Sequence, residues 1–407
     1  MTTTRSVAPN IIQIHFLHSS SATLINRDQS GMAKRMPFGD AMRTRISSQC
    51  LKRHWRVAED KYSLANLGVP MAIRSRATLS MIKDRLVVGG ISESMAQAAA
   101  EGLRMGGLLD KGKDMTGEDA LASGQAILMG RAEINYLVTK CAEAVQGLGT
   151  EKEAKEAVAK WLKSEKKNIE ALKHGAGLES ALFGRMITSD VLSNRDAAIY
   201  VAHSFTTHAA QVENDYFTVV DDILSEAGET GSAGIFDTEL TSGLYYGYVV
   251  IDVAQLVANL EGVAPKQWAG SETNRELAGR VAQHLLHLIA TVSPGAKKGS
   301  TAPFEWARFL MVEAGDLQPR SLAGAFQNAL PLNTTSLAAD AVERIAAEVA
   351  AFDEAFGEAP ARRFMSLTPS TVHNATKTSL PEIGNWVKSI IEAGVVEVSA
   401  PAAEERV

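Results

Sequence analysis

The chain has 407 residues, 45% hydrophobic and 22% charged, with a formal net charge of −6. That is a soluble globular composition, long enough for one large core with insertions or for two domains. Two cysteines, Cys50 and Cys141, exclude a disulfide framework and fit a reducing, cytoplasmic setting. No run approaches roughly eighteen apolar residues, so no membrane span is expected. The polar opening MTTTRSVAPN has no apolar stretch of the kind a signal peptide needs. An acidic chain argues against nucleic acid as a general partner, but only the local balance matters for a binding face.

In chain order, PNIIQIHFLH (residues 9–18) alternates around Ile12, Ile14 and Phe16 and reads as a half-buried strand. Residues 19–45 are polar, with Gly31, Pro37 and Gly39, and read as a long loop. Ser47 reads as the N-cap of a helix running to about Tyr62. Residues 65–178 are rich in helical patterns. In EKEAKEAVAKWLKSEKKNIEALK, Val158, Trp161, Leu162 and Ile169 lie roughly on one face of a solvated amphipathic helix.

ESALFGRMITS (179–189) reads as a strand and turn, while DAAIYVAHSFTTHAA suits either helix or strand. NDYFTVVDDI, the glycine-rich SEAGETGSAG and TSGLYYGYVVIDV read as two strands around a mobile tip. Residues 273–292 form a helix with Leu277, Val281, Leu285, Leu288 and Ile289 on one face. A strand at RFLMVEA and helices over 320–329 and 335–356 follow, and the end, VSAPAAEERV, reads as a disordered tail. Strands alternating with helices, with one helical block inserted, give an α+β fold.

Positive charge is concentrated near the N-terminus. Arg27, Lys34, Arg35, Arg43, Arg45, Lys52, Arg53 and Arg56 are opposed only by Asp28 and Asp40, so this window is +6 and the remainder −12. On a helix beginning near Ser47, Gln49, Lys52, Arg53 and Arg56 share one stripe, and Leu51 and Trp55 face away. The helix should dock through Leu51 and Trp55 and present the basic stripe outward. Its N-terminus adds unpaired N–H groups and the positive end of the macrodipole. Such a surface suits a chain of phosphates better than a single one.

SPGAKKGSTAP superficially resembles a phosphate-binding loop, but no lysine follows Gly299, so nucleotide binding is not expected. Lys297 and Lys298, flanked by glycines, can still touch a backbone phosphate. YYGYVVI (245–251) partly matches the aromatic strand of RNA-recognition sheets, but it lacks the leading basic residue and first glycine, and core tyrosines explain it better. His203 with His208, and Asp221 with Asp222, lack a zinc-ligand pattern. No metal, cofactor or catalytic motif is expected.

The motifs IHFLHSSSATLINRDQSG, TRISSQCLKRHWR, GRMITSD, AHSFTTHAAQVENDYFTVVDDI, SGLYYGYVVIDVAQLVANLEG and PGAKKGSTAPF occur in this order. Together they resemble the CasC (Cse-type) backbone subunits of the type I-E CRISPR surveillance complex, Cascade. The resemblance covers roughly residues 10–57 and 180–305. It implies an RRM-like, ferredoxin-like palm with a helical fingers insertion and a β-hairpin thumb. On this chain that means palm over 8–62 and 179–398, fingers over 63–178, a thumb at about 208–245 and a disordered tail at 399–407.

The resemblance also implies a non-catalytic subunit. Copies would stack head to tail along a guide crRNA, which itself pairs with target DNA, beside other Cascade subunits. By position, Arg27, Lys34, Ser47, Gln49, Lys52 and Arg56 match residues near the guide backbone. Met186 matches a side chain that wedges against bases, and Phe217 one that lies beside a kink in the guide. Two other readings compete: a metal-dependent ribonuclease using Asp28 or Asp40, as in type III relatives of this fold, and an enzyme that holds a phosphate ligand at the Ser47 helix end.

Overall fold

The structure, a computed structural model, describes residues 4–109, 121–165, 177–185, 194–220 and 232–399. The chain divides into two compact units. One comprises Met1–Leu64, Tyr200–Val253 and Arg275–Val407, and the other Ala65–Ile199 and Ala254–Asn274. The elements begin β1 (Thr4–Val7), β2 (Ile11–Thr23), β3 (Arg35–Phe38), β4 (Ala41–Ile46) and α1 (Ser48–Arg56). Next come β5 (Ile73–Ser75), α2 (Thr78–Val88), α3 (Glu93–Met105), β6 (Ile127–Met129), α4 (Arg131–Val145), α5 (Glu151–Ser164) and α6 (Leu178–Phe183). After β7 (Ile199–Val201), β8 (Ser204–Thr206), β9 (Gln211–Val220) and β10 (Ser232–Asp252) come α7 (Val253–Glu261) and α8 (Glu276–Thr291). The chain closes with β11 (Ala307–Gly315), α9 (Leu337–Phe356), β12 (Ala361–Ser366), β13 (Ala375–Lys377), α10 (Leu380–Ala393) and β14 (Val396–Ser399).

The fold is α+β. The first unit is built on a sheet of order β13-β12-β11-β2-β10-β8-β4-β3, antiparallel except for the parallel β12–β13 pair. The first half of β10 leaves β2 to pair with β9, with Phe236 opposite Phe217 and Leu240 opposite Glu213. β2 sits between β10 and β11, and residues Ile12 through Leu17 are buried on both of its faces. The half-buried reading of this strand is thereby corrected. On one face Leu17, Leu244, Tyr246, Phe309 and Met311 pack with Val342, Ile345 and Val349 of α9. On the other, Phe16 and Tyr245 meet Leu51 and Trp55 of α1 and Ile289 of α8 around a small cavity. Gly247 makes room here: a Cβ at this position would lie 2.0 Å from the Phe16 ring.

An ionic network ties β2, β10, β11 and β12 together inside the sheet. Glu313, fully buried, accepts hydrogen bonds from Arg320 at 2.5 and 3.1 Å and from Arg362 Nε at 2.6 Å. Arg362 also holds Asp353 through both Nη atoms, at 2.6 and 2.7 Å. The Tyr246 hydroxyl accepts the Leu322 N–H, so its own proton goes to His15 Nδ1, and His15 Nε2–H donates to Glu313. Burial pushes the Glu313 carboxyl up, but hydrogen bonds from His15 and Arg320 and the surrounding positive charge hold it well below the usual range. His15 is held neutral, first by burial.

The second unit packs α2–α5 around Leu79, Ile82, Leu103, Ile134, Leu137, Val158 and Leu162. Arg185 meets Glu133 in a buried pair at 2.7 Å, and Glu133 also caps α4 by accepting the Gly130 N–H. Among the described residues no helix is long and apolar enough to cross a membrane.

Several expectations are corrected. Residues 19–45 are not one loop: β2 runs to Thr23, and β3 and β4 form a hairpin about Gly39, which has φ +61°. The helix after Ser47 ends at Arg56 rather than near Tyr62, and in the segment that follows Asp60 accepts the Tyr62 N–H. Residues 178–183 are helix rather than strand, and between 320 and 329 only Ala323–Phe326 is helical, as a single 3-10 turn. Val398 and Ser399 belong to a strand paired with β1, not to a tail. Ile169, Asp221, Asp222 and residues 400–407 lie outside the described residues.

Candidate nucleic-acid interface

The site lies wholly within the first unit and is organised around Asn26. Asn26 Oδ1 accepts the Ser47 N–H at 2.9 Å, and its carbonyl accepts the Lys34 N–H at 3.0 Å. The segment between them is a tight turn, in which Arg27 bridges Ala33 and Asp28 Oδ1 accepts the N–H groups of Ser30 and Met32. This turn carries Arg27 exposed at its base and leaves Lys34 half-buried. Lys34 then accepts the Arg45 N–H through its carbonyl, which fastens the turn to β4.

α1 starts where expected. The Ser47 hydroxyl accepts the Cys50 N–H, and the first turn carries no acidic residue. Leu51 and Trp55 are buried, Gln49 and Arg53 are exposed, and Lys52 and Arg56 are half-buried. The outward stripe read from the sequence is therefore present, with Gln49 and Arg53 at its centre. Ser47 differs: it is only 6% exposed, and its hydroxyl serves as the helix cap. Its role is to orient α1 rather than to offer a free donor at the surface.

The glycine–lysine turn joins the same surface. Ala296 bridges Leu24, and its N–H is bonded to the Leu24 carbonyl at 3.0 Å. Lys297 adopts a left-handed backbone (φ +51°) and opens one turn of helix at Lys298–Thr301. Its Nζ donates to Thr238 Oγ1 of β10 at 2.8 Å, whereas Lys298 is exposed. β10 is tied in again through Glu239, which accepts the Ala33 N–H at 2.7 Å and pairs with Arg35.

The basic residues do not all contribute equally. Arg43 is fully buried and donates to the carbonyls of Thr206 and Phe326, at 3.3 and 2.9 Å, so it is structural. Arg35 is spent on Glu239. Lys34, Arg45 and Arg53 form no ion pair with a carboxylate among the described residues. Burial pushes the Cys50 thiol up to about 11, while the charges of Lys34 and Arg53 pull it the other way. Both cations therefore act on the same end of α1.

Phe217 is placed in β9, on the hairpin that Lys297 and Glu239 anchor. Met186 lies outside the described residues. The tyrosines of YYGYVVI do not form a stacking platform: Tyr245 and Tyr246 are each 1% exposed, and Tyr248 stacks on His15 at 4.9 Å. His208 Nε2 accepts the Leu244 N–H, which gives this histidine a structural role. Sequence reasoning missed Asn26, Glu239 and the partnership of Arg45 with His203. Strand alternation could not have separated Arg43 from Arg45, since residues two apart share a face; their different burial follows from what packs on each.

The fold is shared with solved assemblies. The chain is similar to a chain of a "CRISPR RNA-guided surveillance complex, pre-nicking", with a TM-score of 0.74 and 24% identity over 94% of this chain and 100% of that one. It is also similar to a chain of a "CRISPR RNA-guided surveillance complex", with a TM-score of 0.66 and 20% identity over 93% and 99%. No curated protein matched. The match to the CT1975-like proteins (Cas_CT1975) extends over residues 12–389, nearly the whole sheet and both compact units, and the chain belongs to that family.

Proposed function

We propose that this chain is a non-catalytic backbone subunit of a type I-E Cascade-type CRISPR complex, acting in the cytoplasm. It binds a guide crRNA, polymerises with further copies along it, and holds it for pairing with target DNA beside other Cascade subunits. The observation that carries the reading is convergence. Three segments distant in sequence, the Arg27–Lys34 turn, the outer stripe of α1 and the Lys297–Lys298 turn, meet on one unit at the base of the β9–β10 hairpin. A line of cations serving one surface suits a phosphate chain, whereas a single phosphate ligand needs only one of these segments.

The ribonuclease reading has less support. Asp28 Oδ1 already accepts two backbone N–H groups, and Asp40 Oδ1 accepts the Ala329 N–H at 2.8 Å and a contact from Arg43. Both carboxylates build turns. Target RNA incubated with the assembled complex and Mg²⁺ should stay intact. Cleavage that disappears in Asp28→Ala would reverse this reading.

The binding reading is tested by the salt dependence of guide RNA affinity. Lys52→Ala should weaken binding to all sequences alike and flatten the slope of log K against log salt by about 0.7 per lost phosphate contact. A sequence-selective loss would place Lys52 against bases instead.

A further inference from the structure

We propose that Arg45 and His203, beside Lys34, form an additional phosphate contact of this surface, and that His203 takes up a proton when the phosphate docks. This inference rests on the RNA-binding reading and extends it.

The geometry begins with the edge of β4. Arg43 is fully buried, whereas Arg45, two residues further along β4, is half-buried and is opposite Phe205 of β8. His203 sits exposed in the turn just before β8, and Arg45 Nη1 lies 3.2 Å from His203 Nδ1. A guanidinium can only donate, so Nδ1 is the acceptor, the ring proton sits on Nε2 and the imidazole is neutral. The groups facing this ring are Arg45 from β4 and Lys34 from the segment before β3. From β10 the turn receives a backbone bond, the Ala202 N–H donating to the Tyr248 carbonyl at 3.0 Å.

Three basic side chains thus meet with no carboxylate pairing any of them among the described residues. Burial first, then the charges of Arg45 and Lys34, keeps the imidazole pKa below its ordinary value. An RNA phosphodiester between them reverses the balance, because an adjacent anion favours the charged ring. On docking, a proton from solvent adds to Nδ1. The Arg45–His203 bond breaks, and both side chains donate to phosphate oxygen. No covalent bond changes.

The test is the affinity of the full chain, freed of co-purified nucleic acid, for a fluorescein-labelled single-stranded RNA at about pH 8 and about pH 6, which bracket histidine titration. Wild type should bind tighter at the lower pH, by up to about tenfold for each unit by which docking raises the imidazole pKa. His203→Gln should bind more weakly than wild type at the lower pH and show no gain between the two, while His203→Lys should bind tightly at both. Because His203 is exposed, both variants should fold, as unchanged thermal melts will show. A pH gain that persists in His203→Gln, or none in wild type, overturns the inference alone. Wild type that binds no RNA at either pH overturns the RNA reading and this inference with it.

Discussion

Replacing Glu313 with Gln tests the ionic network that fixes the centre of the sheet. The substitution keeps the shape but removes the charge that faces Arg320, Arg362 and His15. Breaking a buried pair costs about 3–5 kcal/mol when the partner is left alone in the interior. Here Arg362 retains its two bonds to Asp353, and Arg320, with a side chain 22% exposed, can turn toward water. The lower end, about 3 kcal/mol, is therefore expected.

The pH dependence gives a second handle on the same substitution. The folded carboxyl is held below its unfolded value of about 4.3, so its stabilisation is complete above that pH and is lost as pH falls through the folded value. Urea denaturation of wild type and variant at neutral pH and at about pH 3.5 measures the difference. The gap should be near 3 kcal/mol at neutral pH and smaller in acid. A variant within 1 kcal/mol of wild type at neutral pH, or a gap independent of pH, refutes the network as described.

Two further substitutions probe the packing that positions the site. Gly247→Ala places a Cβ inside the contact distance of the buried Phe16 ring and should cost roughly 1–3 kcal/mol in denaturant melts, with partial recovery in the double variant with Phe16→Leu. Leu51→Ala should cost about 2–5 kcal/mol, because Leu51 is 4% exposed beneath α1, and a loss under 0.5 kcal/mol would mean that α1 is not docked.

Local pattern made part of this molecule legible. α1 carries its own cap, its apolar pair Leu51–Trp55 and its polar stripe within nine residues, so the wheel alone places them. The second half of β10 and α8 are equally plain, being strongly apolar, whereas the first half of β10, from Ser232, begins within what reads as a glycine-rich tip. What stayed hidden depends on partners far along the chain. β1 and β14 are too short and mixed to announce themselves, and they exist because Thr4 finds Ser399. The β3–β4 hairpin contains Pro37 and Gly39, which read as loop, and its edge pairing is supplied by β8. LESALF, six residues with Glu179 and Ser180 among apolar ones, is too short for periodicity to assign. The basic window looks uniform in sequence, yet the fold buries Arg43, pairs Arg35 with Glu239 and leaves Arg45 half-buried against His203, so charge count alone overstates the binding surface.

The central claim is that this surface holds a guide RNA. Sequencing the nucleic acid that co-purifies with the full chain, together with its absorbance ratio, tests that claim most directly. A uniform, repeat-derived small RNA, lost on joint substitution of Lys34, Lys52 and Arg53 by alanine in a chain that still folds, is the predicted result. Protein that purifies free of nucleic acid, or that carries a random mixture unaffected by those substitutions, contradicts it.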